Sequence, residues 1–246
     1  MGLRVRIDQL LVDRGLAESR ARAQALVMAG LVIVGGKKID KAGTQVAEDA
    51  GIELKGQDHP WVSRGGLKLV EALDRFAIDP TGKVAVDVGA STGGFTDVLL
   101  SRGAARVYAV DVGHGQLAWK LRSDDRVIVL ERTNARYLTV EQIPQQVDMV
   151  VCDASFIGLE TVLPAALALA GDGAILVALI KPQFEVGKGD VVREPELHAE
   201  VCDRISAWLP TNPGWELIGL CDSPIKGPEG NKEFLMLGRK SVPASS

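Results

Sequence analysis

From residue 84 onward, five apolar runs of strand length, 84–88, 107–110, 127–130, 147–152 and 174–180, alternate with segments of helical pattern. Strands separated by helices cannot pair as hairpins, so this alternation specifies an α/β fold with a parallel sheet covered by helices on both faces. Two later runs, 215–220 and 234–237, are joined by a loop too short for a crossover helix and should pair antiparallel. A helix is expected over about 66–76, with Leu67, Val70, Leu73 and Ala77 on one face. The 246 residues suffice for such a domain and a small companion.

The companion lies at the N-terminus. A helix through 8–14 stops at Gly15, and a second runs from about Glu18 to Ala29, with Ala21, Ala25, Leu26 and Met28 as its apolar face. Gly30 ends it. Leu31, Ile33 and Ile39 then alternate around Gly35-Gly36, the signal of a two-residue hairpin. Residues 1–41 carry eight basic side chains against four acids, although the whole chain has a net charge of −4. Arg4, Arg6, Arg20, Arg22, Lys37 and Lys38 could therefore present one basic surface to a phosphate backbone. The segment RIDQLLVDRGLAESRARAQALVMAGLVIVGGKKI resembles the S4 RNA-binding domain, an α+β unit whose second helix and hairpin contact structured RNA. That resemblance implies the same role for Arg20, Arg22, Lys37 and Lys38. The expected boundaries are 1–58 for this domain, 59–63 for a linker around Pro60 and Trp61, 64–240 for the large domain and 241–246 for a tail.

The charged N-terminus offers no apolar signal core, and the most apolar stretch, 161–180, is broken by Pro164, Gly171, Asp172 and Gly173. No membrane association is expected, and a reducing cytoplasm is the expected setting. Cys152, Cys202 and Cys221 form no CxxC pair, so neither a disulfide framework nor a metal site is expected.

The run VAVDVGASTGGFTD reads as strand, glycine turn and helix start, which lets a ligand approach the backbone beside a helix N-terminus. Gly89, Ala90, Ser91, Gly93, Gly94 and Phe95 form that turn. Ser91 stands where a dinucleotide fingerprint needs its middle glycine, and no G-K-[ST] follows for a triphosphate. Asp87, just before the turn, could pair with the ammonium of an amino-acid moiety. Asp111, after the second strand, is suited to ribose hydroxyls, and Asn134, after the third, to an adenine edge. Together these resemble the seven-stranded, Rossmann-like fold of S-adenosylmethionine-dependent methyltransferases, which implies that cofactor.

Ligands of parallel α/β sheets bind beyond the carboxyl ends of the strands. Asp153 and Lys181 follow strands at that edge, Lys68 lies in the first turn of a helix that begins there, and Glu233 starts the antiparallel strand. The set Lys68, Asp153, Lys181, Glu233 resembles the catalytic tetrad of FtsJ-type RNA ribose 2′-O-methyltransferases. With the N-terminal domain and the SRGGLKL junction, nearly the whole chain resembles the TlyA family, historically labelled hemolysin A. The resemblance implies methylation of a cytidine 2′-hydroxyl in ribosomal RNA, with ribosomal RNA or ribosomal subunits as partners. Lys181 would steer or deprotonate the hydroxyl, Lys68 and Asp153 would set its state and orientation, and Glu233 would position Lys68 or the ribose. Asp153 would also border the cofactor.

Two other chemistries are disfavoured. A base N-methyltransferase is expected to carry a Pro-Pro-aromatic stretch where this chain has Asp153-Ala154-Ser155-Phe156, and Cys152 reads as a core thiol rather than a nucleophile. The hemolysin label would call for a membrane-active helix, and none is evident.

Overall fold

The computed structural model describes residues 4–17, 19–54, 59–187, 191–227 and 230–242. The expected helix start at Glu18, residues 55–58 of the N-terminal domain and 243–246 of the expected tail fall outside these.

The N-terminal unit comprises β1 (Arg4–Arg6), α1 (Ile7–Asp13), α2 (Arg20–Met28), β2 (Val32–Val34), β3 (Lys37–Ile39), β4 (Gln45–Ala47) and β5 (Ile52–Leu54). The hairpin at Gly35-Gly36 joins β2 and β3 as expected, while β1, β4 and β5 were not foreseen. These are three-residue strands, too short for an alternation signal. Ser19 caps α2 by accepting from the Arg22 amide at 3.2 Å. The expected face of α2 is corrected: Ala23 and Val27 are buried, Ala21 and Ala25 are exposed, and Met28 is 73% exposed. The helix turns that way because Ala23 and Val27, four residues apart, pack on Ile7, Leu10 and Leu11 from α1.

The large unit begins with α3 (Gly66–Arg75) and continues as β6 (Val84–Val88), α4 (Gly94–Ser101), β7 (Arg106–Val110), α5 (Trp119–Arg122) and β8 (Val127–Leu130). It proceeds through β9 (Val147–Cys152), α6 (Leu159–Val162), α7 (Pro164–Ala168), β10 (Ala170–Ile180) and α8 (Pro182–Glu185). It closes with α9 (Pro195–Trp208), β11 (Trp215–Asp222) and β12 (Phe234–Lys240). The seven strands form one sheet in the order β11-β12-β10-β9-β6-β7-β8, with β12 antiparallel to both neighbours. One apolar cluster lies on each face, so the central strands are apolar on both sides, whereas the edge strand β11 alternates buried or half-buried with exposed residues. Gly171 and Gly173, expected in a turn before the strand, lie within β10, where the register shifts between Ala170 and Ile175.

The face expected for α3 is also corrected. Leu69, Ala72 and Leu73 are buried together with Lys68, whereas Leu67 and Val70 are half-buried and Ala77 is exposed at φ 52° just beyond the helix. The rotation carries a lysine inward, which apolar periodicity cannot report.

The two units touch. At Gly15, φ 66°, a Cβ would lie 2.4 Å from that of Ala118, so only glycine permits this approach.

Candidate active site

The glycine turn is built around close backbone approaches. A Cβ on Gly89 would stand 2.8 Å from the Ala154 Cα, and one on Gly93 2.2 Å from a Leu121 methyl. The missing side chains bring the end of β9 against the turn and seat α5 beneath it. Ser91 adopts φ 47°, and its amide donates to Asp111 Oδ2 at 2.8 Å. Asp111 Oδ1 accepts from the Gly113 amide at 2.7 Å, which fixes the carboxylate at the end of β7.

Asp87 is wholly buried beneath the turn. Its Oδ2 accepts from the Thr96 amide at 3.0 Å and the Thr96 hydroxyl at 2.7 Å, whereas Oδ1 has no hydrogen-bond partner among the described residues. Burial pushes its pKa from 3.8 up to about 7, against the two bonds from Thr96. A buried carboxylate oxygen left open on a ligand cavity fits the amino-acid ammonium of S-adenosylmethionine. Asn134 is placed differently: exposed, it caps the turn Ala135–Tyr137 through its carboxamide oxygen, 3.1 Å from the Arg136 amide.

Lys68, Asp153, Lys181 and Glu233 come together from α3, the end of β9, the end of β10 and the residue before β12. Asp153 is the hub, with Oδ1 2.7 Å from Lys181 Nζ and Oδ2 3.3 Å from Lys68 Nζ. Lys68 Nζ also pairs with Glu233 Oε2 at 2.7 Å. Lys181 Nζ further donates to the Asp153 carbonyl at 3.0 Å and Ser155 Oγ at 2.9 Å. Glu233 is 1% exposed, and a Cβ on Gly227 would lie 2.2 Å from its Oε1. Of the two expected roles for Glu233, this burial favours holding Lys68 over reaching the ribose. The Cys152 thiol, fully buried, is pushed up to about 12 by desolvation and is not a nucleophile.

Lys68, Asp153 and Lys181 share a cavity of about 910 Å³ with Asp87 and the glycine turn. Its other wall comes from the N-terminal unit, including Leu16, Arg22 and Leu26. Arg6 and Arg20 are committed to Asp8, which is fully buried and accepts from Arg6 Nη2 at 2.8 Å and Arg20 Nε at 3.1 Å. These bonds hold the Asp8 carboxyl well below the usual carboxylate range. Arg4 donates to the Gln45 carbonyl at 2.7 Å, whereas Arg22, Lys37 and Lys38 are exposed and form no ion pair among the described residues.

Sequence reasoning missed Ser155 and Phe156 as site residues. Phe156 is 89% exposed at φ 66°, a conformation costly for a bulky side chain, and its ring lies 4.9 Å from that of Phe184. Lys181 Nζ lies 5.9 Å from the centroid of that same Phe184 ring, so the strained, exposed Phe156 adjoins the lysine cluster through Phe184 and is a candidate ligand contact. The only sequence signal was an aromatic two residues after Asp153-Ala154.

A Rossmann-like sheet with this glycine turn, an open buried carboxylate and a lysine-rich cluster defines the methyltransferase class. Residues 61–240 match the FtsJ-like methyltransferase family and residues 5–52 the S4 domain. The 16S/23S rRNA (cytidine-2′-O)-methyltransferase TlyA of Mycobacterium tuberculosis is 50% identical over 242 residues, 96% of this chain and 90% of its own. A solved Streptococcus thermophilus protein titled a hemolysin is 43% identical with TM-score 0.74, over 97% of this chain and 89% of its own. A Listeria monocytogenes structure titled an S-adenosylmethionine-dependent methyltransferase shares the fold at 14% identity and TM-score 0.55, covering 73% of this chain and all of that one. The chain belongs to the TlyA family of FtsJ-like methyltransferases. No helix among the described residues is long and apolar enough to cross a membrane.

Proposed function

We propose that this protein transfers a methyl group from S-adenosylmethionine to the 2′-hydroxyl of a cytidine in ribosomal RNA. The observation that carries the reading is the clasp of Asp153 between Lys68 and Lys181 in one cavity with Asp87 and the glycine turn. The name of the mycobacterial relative supports the substrate.

Asp87 Oδ1 would take the cofactor's ammonium and Asp111 the ribose hydroxyls, while Asn134, whose carboxamide oxygen caps the Ala135–Tyr137 turn, would have only its amide N–H groups to offer the adenine edge. Gly89, Ala90, Ser91, Gly93, Gly94 and Phe95 would line the methionine and sulfur region. When bound, the cofactor would supply an electrophilic methyl on a sulfonium for the ribose oxygen, with S-adenosylhomocysteine as the leaving group. Lys181 does the positioning: of its three oxygen partners, the neutral Ser155 hydroxyl is the one most readily exchanged for the ribose oxygen. The hydroxyl's proton leaves toward the Lys181–Asp153 pair as the new bond forms. Glu233 holds Lys68, and Lys68 holds Asp153, so the acceptor of that proton cannot swing away. Phe156 offers a stacking face to a base lifted from the RNA.

The test is labelled-methyl transfer to ribosomal subunits and to transcribed small- and large-subunit rRNA, followed by nucleoside mass spectrometry. A 2′-O-methylcytidine is expected, lost in Lys181→Ala while cofactor binding persists. A methylated base, or undiminished transfer by Lys181→Ala, would overturn the proposal.

A further inference from the structure

Lys68, Lys181, Asp153 and Glu233 form an internally paired set with two charges of each sign. Such a floor can orient a hydroxyl, but it offers no surplus positive charge to the phosphates on either side of the target ribose. A ribose presented to Lys181 brings both phosphates with it, and they must lie toward the cavity mouth.

Two arginines line the same cavity. Arg22 is on α2 of the S4 domain, and Arg64 lies two residues before α3 of the catalytic domain. Both are exposed, and neither guanidinium has an ion-pair or hydrogen-bond partner among the described residues. The neighbouring arginines of the S4 domain differ. Arg6 and Arg20 are held by Asp8, and Arg14 donates to the carbonyls of Glu48 and Ala50. Architecture occupies those guanidiniums and leaves Arg22 available at the cavity. The close contact of Gly15 with Ala118 sets the two domains at a defined distance, so the arginines face one cavity from two bodies.

We propose that Arg22 and Arg64 form a two-domain clamp on the RNA backbone, each guanidinium taking one of the phosphates that flank the target ribose. The inference rests on the ribose-methylation reading and adds two positioning residues to it. A guanidinium grips a phosphate through two parallel N–H donors, which fixes angle as well as position. The S4 domain then contributes to placing the reacting nucleotide, in addition to tethering the RNA elsewhere.

The test uses the full-length protein with Arg22→Ala, Arg64→Ala, the double variant and the two lysine replacements. Binding of transcribed small- and large-subunit rRNA is measured across salt concentrations with S-adenosylhomocysteine present, alongside methyl transfer, cofactor affinity and thermal midpoint. Each alanine variant should lower the log–log salt slope by about one and the double variant by about two, because each removed contact releases one fewer counterion. Transfer efficiency should fall about tenfold or more per arginine, with cofactor affinity and thermal midpoint unchanged. Lysine should restore the slope but only part of the turnover, since a point charge lacks the two-pronged geometry. Arg102→Ala, whose guanidinium pairs with Asp74, should change nothing. An unchanged slope in either single alanine variant would overturn the clamp, as would a parallel loss of cofactor affinity. If the unaltered protein binds RNA but forms no 2′-O-methyl product, the ribose reading falls while the slopes still decide whether the arginines hold phosphates.

Discussion

If Asp87 takes the cofactor's ammonium as proposed, its burial should make cofactor binding a proton-coupled event. Its pKa of about 7, against an ordinary 3.8, means that the free protein holds a proton there over a range where the unfolded chain has lost it. Two consequences follow, and they run in opposite directions with pH. Stability should fall as pH rises from about 4 to 7, by up to about 1.4 kcal/mol per unit and about 4 kcal/mol in all, because the unfolded state releases its proton first. An ammonium ligand needs the ionised carboxylate, so its binding should expel that proton. At about pH 6 only about a tenth of free protein is ionised at Asp87, and the affinity for S-adenosylhomocysteine should lie about tenfold below its plateau. Affinity should rise through about pH 7 and decline above about pH 8, where the ligand's own α-amino group loses its proton. Titration calorimetry in buffers of different ionisation heat would read both the affinity and the proton released. Asp87→Asn should weaken binding about tenfold to a hundredfold at about pH 7.5 and abolish the rise below pH 7. An affinity flat from about pH 5.5 to 7.5, or the same rise in Asp87→Asn, would refute the coupling.

Phe156→Gly should stabilise the fold by about 1 kcal/mol, since glycine accepts φ 66° freely, and should raise the KM for RNA; chemical denaturation and steady-state transfer would show whether the two effects run in opposite directions. Gly227→Ala forces a methyl to within 2.2 Å of Glu233 Oε1 and should lower kcat about tenfold with cofactor affinity unchanged, measured at saturating RNA. The Trp61 indole lies against Gly66, whose amide borders Gly94 of the cofactor turn, so Trp61→Ala should raise the cofactor dissociation constant about tenfold. Equal cofactor affinity in Trp61→Ala and the unaltered chain would remove the linker from that role.

The central strands were legible in the sequence because a strand buried on both faces reads as an unbroken apolar run, as in 107–110 and 174–180. The meeting of Lys68, Asp153, Lys181 and Glu233 was legible too, since chain direction alone assigns each to one edge of the sheet. Other features needed three dimensions. The inward side of α3 follows from Lys68 finding Asp153 and Glu233, 85 and 165 positions away, and periodicity within ten residues carries no such information. Arg6 and Arg20 looked equivalent to Arg22 as surface cations until Asp8 proved to be buried between them. Phe156 gave no sign of its strained, exposed setting, because a backbone angle is imposed by the packing around it. The sequence by itself determined the order of elements, the sheet and the chemical inventory at its edge. Only the tertiary structure decided which charges neutralise one another and which remain open to a ligand, because Coulombic and hydrogen-bond partners are chosen by distance in space rather than along the chain.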